Sequence, residues 1–154
     1  MTQPATTTTL RTGHIGLNVT DLDRSRAFYQ RVFGFEAVGE GADGDQRWAF
    51  LGRDGAITVT LWQQSQGRFP TATPGLHHLA FQVDSVREVH DIEQELRALD
   101  AEFTYEGVVP HREGASSGGI FFLDPDGIRL EVSTASGAET GTAPHGTAPT
   151  CGFF

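Results

Sequence analysis

Two histidines and one glutamate carry the chemistry this chain can offer. His14 stands in the run Gly13-His14-Ile15-Gly16-Leu17-Asn18-Val19, and His78 in the near copy Gly75-Leu76-His77-His78-Leu79-Ala80-Phe81-Gln82-Val83. With His14 set on His78, small, apolar and polar types match in turn, so the chain reads as an internal duplication. Glu131 lies in the last apolar run of the second half. Two imidazoles and one carboxylate that leave coordination positions open suit a divalent first-row metal, with Fe(II) favoured where oxygen chemistry is involved and Mn, Zn or Ni also accommodated. A single strand histidine is ordinarily a hydrogen-bonded structural residue, but two at equivalent duplicated positions shift the reading to ligation. His77 alternates to the opposite face from His78 and is read as structural.

Strand parity assigns the faces. His14, Gly16 and Asn18 alternate with Ile15, Leu17 and Val19, and in the copy His78 shares its face with Ala80. Both histidines are therefore expected on the concave, polar face of their sheets. In the last run Arg129, Glu131 and Ser133 share one face, while Ile128, Leu130 and Val132 go to the core. His111 and Tyr105 are candidates for acid/base work, the simpler outcome for His111 being a solvated loop histidine. Trp48, Thr60, Trp62 and Phe121 are candidates to line a substrate pocket, the aromatic residues serving equally well as plain core. Arg129 could hold a substrate carboxylate or phosphate, or pair with Asp126, the pairing being the simpler outcome.

The elements that position these groups follow from periodicity and turn signals. Asp21 suits an N-cap for a helix over 22–33, ended by Gly34; a second helix is expected over 86–99, with Val89, Ile92, Leu96 and Leu99 on one side. Strands are expected at 14–19, 35–40, 46–52, 56–63, 77–83, 103–106, 119–123 and 128–133. Asp54-Gly55 and Asp124-Pro125-Asp126-Gly127 read as hairpin turns. A Gly-, Pro- and Thr-rich linker over 64–75 joins the halves. The polar stretch 109–118 is a natural lid. Residues 1–12 read as a flexible arm, 13–134 as one domain with modules at about 13–63 and 76–134, and 135–154 as a flexible tail that Phe153 and Phe154 could anchor.

Composition excludes whole classes. The 154 residues suffice for one ordinary core rather than two. Every one of the 11 basic residues is Arg, which rules out a Schiff-base lysine or a lysine phosphate loop. A net charge of -9 argues against nucleic acid or an anionic membrane as partner and for a small-molecule substrate. The single cysteine, Cys151, permits neither an intrachain disulfide nor a cysteine-based zinc site. With no signal-peptide pattern and no long apolar run, a soluble cytoplasmic protein is expected.

The run His14 to Val19 with Asp21 after it, the second run from His78 to Val83, and Phe121-Phe122-Leu123-Asp124-Pro125-Asp126-Gly127-Ile128-Arg129-Leu130-Glu131-Val132 together resemble the vicinal oxygen chelate superfamily of glyoxalases, bleomycin resistance proteins and extradiol dioxygenases. The resemblance covers about residues 12–134. It implies an α+β fold of paired βαβββ modules forming a half-open, mixed-sheet barrel with helices outside, and His14, His78 and Glu131 as metal ligands. Glyoxalase I and the epimerases bring a further carboxylate at the end of the first half, where this chain has Thr58 to Thr60, so an isomerase of that kind is disfavoured. Fosfomycin transferases bring a lysine this chain lacks. What remains is an extradiol-type dioxygenase acting on a catechol-like or vicinal-dioxygen compound, with a glyoxalase-like lyase or isomerase and a drug-sequestering protein as alternatives. The resemblance also implies a homodimer. A binding fold does not by itself fix the reaction.

Overall fold

The computed structural model describes residues 8–154. Most of the arm expected over 1–12 lies outside the described residues, and residues 8–12 form no regular element. The first module runs β1 (Ile15–Val19), α1 (Leu22–Phe33), β2 (Glu36–Asp43), β3 (Gln46–Arg53) and β4 (Ala56–Gln63). The second runs β5 (Leu79–Gln82), α2 (Val86–Ala98), β6 (Val109–Pro110), β7 (Gly118–Leu123) and β8 (Arg129–Thr134). Each module is a four-stranded mixed sheet, in the orders β1-β4-β3-β2 and β5-β8-β7-β6. The expected pair of βαβββ modules is thus present, each sheet curling without closing.

Local chemistry sets the elements. Asp21, extended at φ -139°, accepts from the Arg24 amide at 3.0 Å and starts α1, and Gly34 at φ 64° ends it. Leu22, Phe28, Tyr29, Val32 and Phe33 form its buried stripe. In α2, Ser85 and Glu88 close a reciprocal capping box, and Val89 and Leu96 are buried. Asp54 and Gly55 both take positive φ, 51° and 77°, as a two-residue turn matched to strand twist requires.

The modules meet through their helical sides. Phe33 of α1 packs on Phe81 and Phe122 of the second module, with ring centroids 4.7 and 6.5 Å away. Tyr29 donates to Asp124 at 3.0 Å, and Arg31 pairs with Glu95. One core therefore holds Leu17, Val19, Leu51 and Leu61 together with Ile120, Phe122, Leu130 and Val132. Because those side chains use the backs of both sheets, period-2 alternation sends the other face of each sheet away from this shared core.

Three expectations are corrected. Phe103 makes one isolated bridge with Phe122 in place of a strand over 103–106, and edge pairing falls instead to β6. The stretch 109–118 is no lid: Val109 and Pro110 join the sheet, and the loop folds on itself as the His111 amide donates to Ser117 O at 3.0 Å. The segment 135–154 is docked where a flexible tail was expected. Ala138, Ala143, Thr150 and Phe154 are buried. The Ala138 amide donates to Ser116 O, the Thr150 amide to His111 O, and Thr150 Oγ1 to Pro110 O at 2.7 Å. Small side chains let this segment lie close to the sheet, and backbone bonds supply what its composition hides.

Candidate metal centre

Register places the site. Ala80 pairs with Glu131 between β5 and β8, and Gly16 pairs with Thr60 between β1 and β4. Thr60 is thus the first module's counterpart of Glu131. It is buried, and its hydroxyl accepts from Trp62 Nε1 at 3.0 Å. No carboxylate replaces it among its partners on this face.

In the second module Glu131 is 3% exposed and has a histidine at each oxygen. His111 Nε2 lies 2.7 Å from Oε1, and His78 Nε2 lies 3.4 Å from Oε2. Ligands bound at about 2.1 Å to one ion stand roughly 3 to 3.5 Å apart, and the second spacing falls within that range. His111 Nδ1 in turn meets Ser117 Oγ at 2.9 Å, which fixes the ring that steadies Glu131. His111 is held as an orienter of the carboxylate, a role the sequence did not indicate.

His77 also enters. Both residues precede β5, so strict alternation does not apply, and His77 Nδ1 lies 2.8 Å from His78 Nδ1. When His78 carries its proton on Nδ1 and donates to His77, its Nε2 lone pair faces Glu131, as a ligand's must. Burial holds the His78 pKa below 6.5, outweighing the nearby Glu131, with His77 and Arg129 adding to the lowering. The adjacent pair of histidines was the available signal, and treating both as strand residues hid it.

The third group within reach is unexpected. One ligand atom each from His78, Glu131 and Cys151 lie within 4.8 Å of one another. His14 is exposed, one residue before β1, and is outside this cluster. The physical reason is the back-to-back packing of the modules, which turns the two concave faces away from the shared core. Within one chain, the convergence of His14 with His78 and Glu131 does not occur.

The remaining candidates divide between the two faces. Trp48 and Trp62 are cross-strand partners with ring centroids 6.3 Å apart, and Phe50 packs on both. All three are half-buried on the first module's face, and Gly41 lies so close under Trp48 that a side chain there would overlap the indole. Phe121 is the cross-strand partner of Glu131 and fully buried under Phe154, centroids 5.0 Å apart. Tyr105 packs edge-on against Phe121, and its hydroxyl lies 3.0 Å from His145 Nε2 in the tail. Burial raises its pKa, which keeps the phenol protonated. The pairing of Arg129 with Asp126 is corrected: Asp126 binds Arg24 at 2.8 Å and the Thr20 amide. Among the described residues Arg129 makes no ion pair; its guanidinium lies 5.8 Å over the Phe154 ring.

A larger groove of about 550 Å³ lies on the helical side, but its three arginines are already engaged, Arg24 with Asp126, Arg31 with Glu95 and Arg68 with Glu102. It offers no comparable chemistry. A groove of about 450 Å³ does run beside His111, lined by Arg112, Ser116, Ser117 and Pro149.

Among known proteins, the model of the family described as the Glyoxalase/Bleomycin resistance protein/Dioxygenase superfamily matches residues 11–132. No curated protein matches the chain. A glyoxylase/bleomycin resistance protein/dioxygenase domain from Frankia sp. EAN1pec is 25% identical, with a TM-score of 0.72 over 83% of this chain and 99% of that one. A single-residue mutant of the fosfomycin resistance protein FosX from Listeria monocytogenes, complexed with Mn(II) and 1S,2S-dihydroxypropylphosphonic acid, is 26% identical, with a TM-score of 0.64 over 86% and 98%. Leishmania major glyoxalase I, 22% identical with a TM-score of 0.61 over 82% and 88%, shares the fold.

Proposed function

For this chain, which belongs to the Glyoxalase/Bleomycin resistance protein/Dioxygenase superfamily, we propose a divalent-metal-dependent enzyme that binds a small substrate through two neighbouring oxygens, the favoured reaction being extradiol-type ring opening of a catechol-like compound. The observation that carries this reading is Glu131, buried, with His78 at cation-sharing distance on one oxygen and His111 on the other. The donor set fits a divalent ion: a neutral imidazole and a carboxylate, each oriented by a second residue. Such an ion, when bound, would draw the substrate's two oxygens together and polarise them.

The chain's own residues supply the rest. Thr60, standing where a second carboxylate would act, is no general base near neutral pH, and this disfavours proton-shuttling isomerisation. Arg129, without an ion pair among the described residues, suits an anionic group on the substrate. Tyr105 is a protonated donor at the rim, and Phe121, buried beneath Phe154, supports the floor under it. The first module's aromatic face, with Trp48 and Trp62, shares its strand register with the face bearing Glu131. We read the working form as a homodimer in which the ion is held by His78 and Glu131 of one chain, with His14 of the other reaching in beside the C-terminal segment.

The test is oxygen uptake. Protein loaded with Fe(II) should consume O₂ with an acidic catechol, and His78→Ala should abolish it. No uptake over a broad catechol panel would remove the dioxygenase reading. Metal content below about one tenth of an equivalent after loading with Fe(II), Mn(II), Zn(II) and Ni(II) in turn would remove the metalloenzyme reading and favour a sequestering protein. Light scattering at tens of micromolar should give twice the chain mass, and His14→Ala should lower metal affinity without changing that mass.

A second reading rests on Arg129 together with FosX, which was crystallised with Mn(II) and a small phosphonate. Binding of such a phosphonate by the Mn(II)-loaded protein, lost in Arg129→Gln, would favour it over the catechol.

A further inference from the structure

The C-terminal segment places a sulfur where a metal ligand would stand. Cys151 lies in a single 3₁₀ turn, Thr150–Gly152, and that turn is fixed at both ends. Before it, Thr150 is fully buried, its amide donating to His111 O at 2.8 Å and its hydroxyl to Pro110 O at 2.7 Å. After it, the Phe154 ring is buried against Phe121 and His78, at centroid distances of 5.0 and 5.3 Å. The sulfur between these anchors is therefore a positioned group, and it falls within 4.8 Å of the ligand atoms of His78 and Glu131. A second observation points the same way. Glu131 has its side chain 4% exposed, and among the described residues its Oε2 accepts no bond shorter than the 3.4 Å approach of His78 Nε2. A carboxylate almost wholly buried, and paired at that oxygen only with His78 among the described residues, keeps acceptor capacity for a cation in the group that includes the sulfur.

We propose that Cys151 is a further protein ligand to the ion held by His78 and Glu131, delivered by the docked C-terminal segment. This rests on the metal reading above and adds to it the donor that segment contributes. Metal–sulfur bonds run about 2.3 Å and metal–imidazole bonds about 2.0 to 2.1 Å, so the observed separations close onto one ion by shifts of under about an ångström. On binding, the thiol gives its proton to solvent and the sulfur lone pair goes to the ion, with no change in oxidation state. A thiolate in the set biases the site toward Fe(II), Co(II), Ni(II) or Zn(II) and away from Mn(II). It also takes one position that a three-ligand site would leave to water, so the same segment sets how many places remain for substrate.

Co(II) reads this directly. The chain has one cysteine, so any sulfur-to-cobalt charge-transfer band between about 300 and 400 nm reports Cys151 alone. The full-length protein titrated with Co(II) should show that band alongside visible d–d absorption. Cys151→Ser should lose the near-ultraviolet band and keep the d–d absorption, with unchanged far-ultraviolet circular dichroism. Phe154→Ala, which removes an anchor of the segment but no ligating atom, should weaken the charge-transfer band more than the d–d absorption. Visible cobalt absorption in the wild type with no charge-transfer band would overturn the thiolate proposal while leaving the metal reading standing. No cobalt absorption at all would overturn both.

Discussion

The first sheet and the second are built to one register, yet their concave faces are finished differently. Gly16 opposite Thr60 and Ala80 opposite Glu131 occupy the same place in the two modules. On the first face, Trp48, Phe50 and Trp62 pack on one another and remain half-exposed. On the second, Glu131 and Phe121 are buried beneath the chain's last residues. A duplicated strand pair thus supplies two equivalent platforms, one carrying the Thr60 hydroxyl and the other the Glu131 carboxylate with its histidines. Among the described residues the aromatic face has His14 at its margin and no other candidate ligand. The acidic face has two histidines on one carboxylate, and a tail over it.

The sharpest break of this comparison exchanges the paired positions. Glu131→Gln should lower metal affinity and activity by more than about 100-fold, because even changes to groups that orient ligands cost about 10- to 100-fold. Thr60→Val should leave metal content unchanged, measured by elemental analysis of both variants. Equal losses of metal from the two variants would contradict the assignment of the ion to the Glu131 carboxylate.

His111 tests how far the acidic face depends on its orienting ring. His111→Ala should weaken metal binding by about 10- to 100-fold, and His111→Gln, which can still reach Oε1, should recover part of it. A variant with full affinity would reduce His111 to a loop residue.

The two hairpin turns offer a comparison in stability. Asp124 accepts from Tyr29 and from the Asp126 and Ile128 amides at 3.0, 2.9 and 2.8 Å, all in the core. Asp124→Ala strands those donors and should cost about 2 to 4 kcal/mol by chemical denaturation. Asp54 has only its positive φ to defend, so Asp54→Gly should change stability by less than about 0.5 kcal/mol.

The smallest effect is the pH response of the acidic face. His78 is held below its ordinary pKa by burial, so around pH 6.5 the folded chain binds fewer protons there than the unfolded chain. Its contribution to stability is present above about pH 6.5 and is lost as pH falls through the lower, folded value. Metal-free wild type should lose melting temperature between about pH 7 and 5 more steeply than His78→Gln; parallel curves would contradict the shift.

The sequence by itself determined the elements and the pairing of faces. Alternation in 15–19 and 128–133, the caps at Asp21 and Gly34, and the Asp54-Gly55 turn are local properties, read from nearest neighbours along the chain. The duplication, the family resemblance and Glu131 on the same face as Arg129 were legible for the same reason. What the chain does across space was not. That the modules pack back to back, so that His14 stands apart from His78, depends on Phe33 meeting Phe81 and Phe122. That His77 leans on His78 and His111 grips Glu131 depends on where a strand begins and where a loop closes. The tail is the clearest case: its small polar residues carry no periodic signal, because its attachment uses backbone amides and carbonyls, which every sequence has. Only the folded sheet presents the edge at Pro110 and His111 that those groups need, and only there does Cys151 come within reach of Glu131.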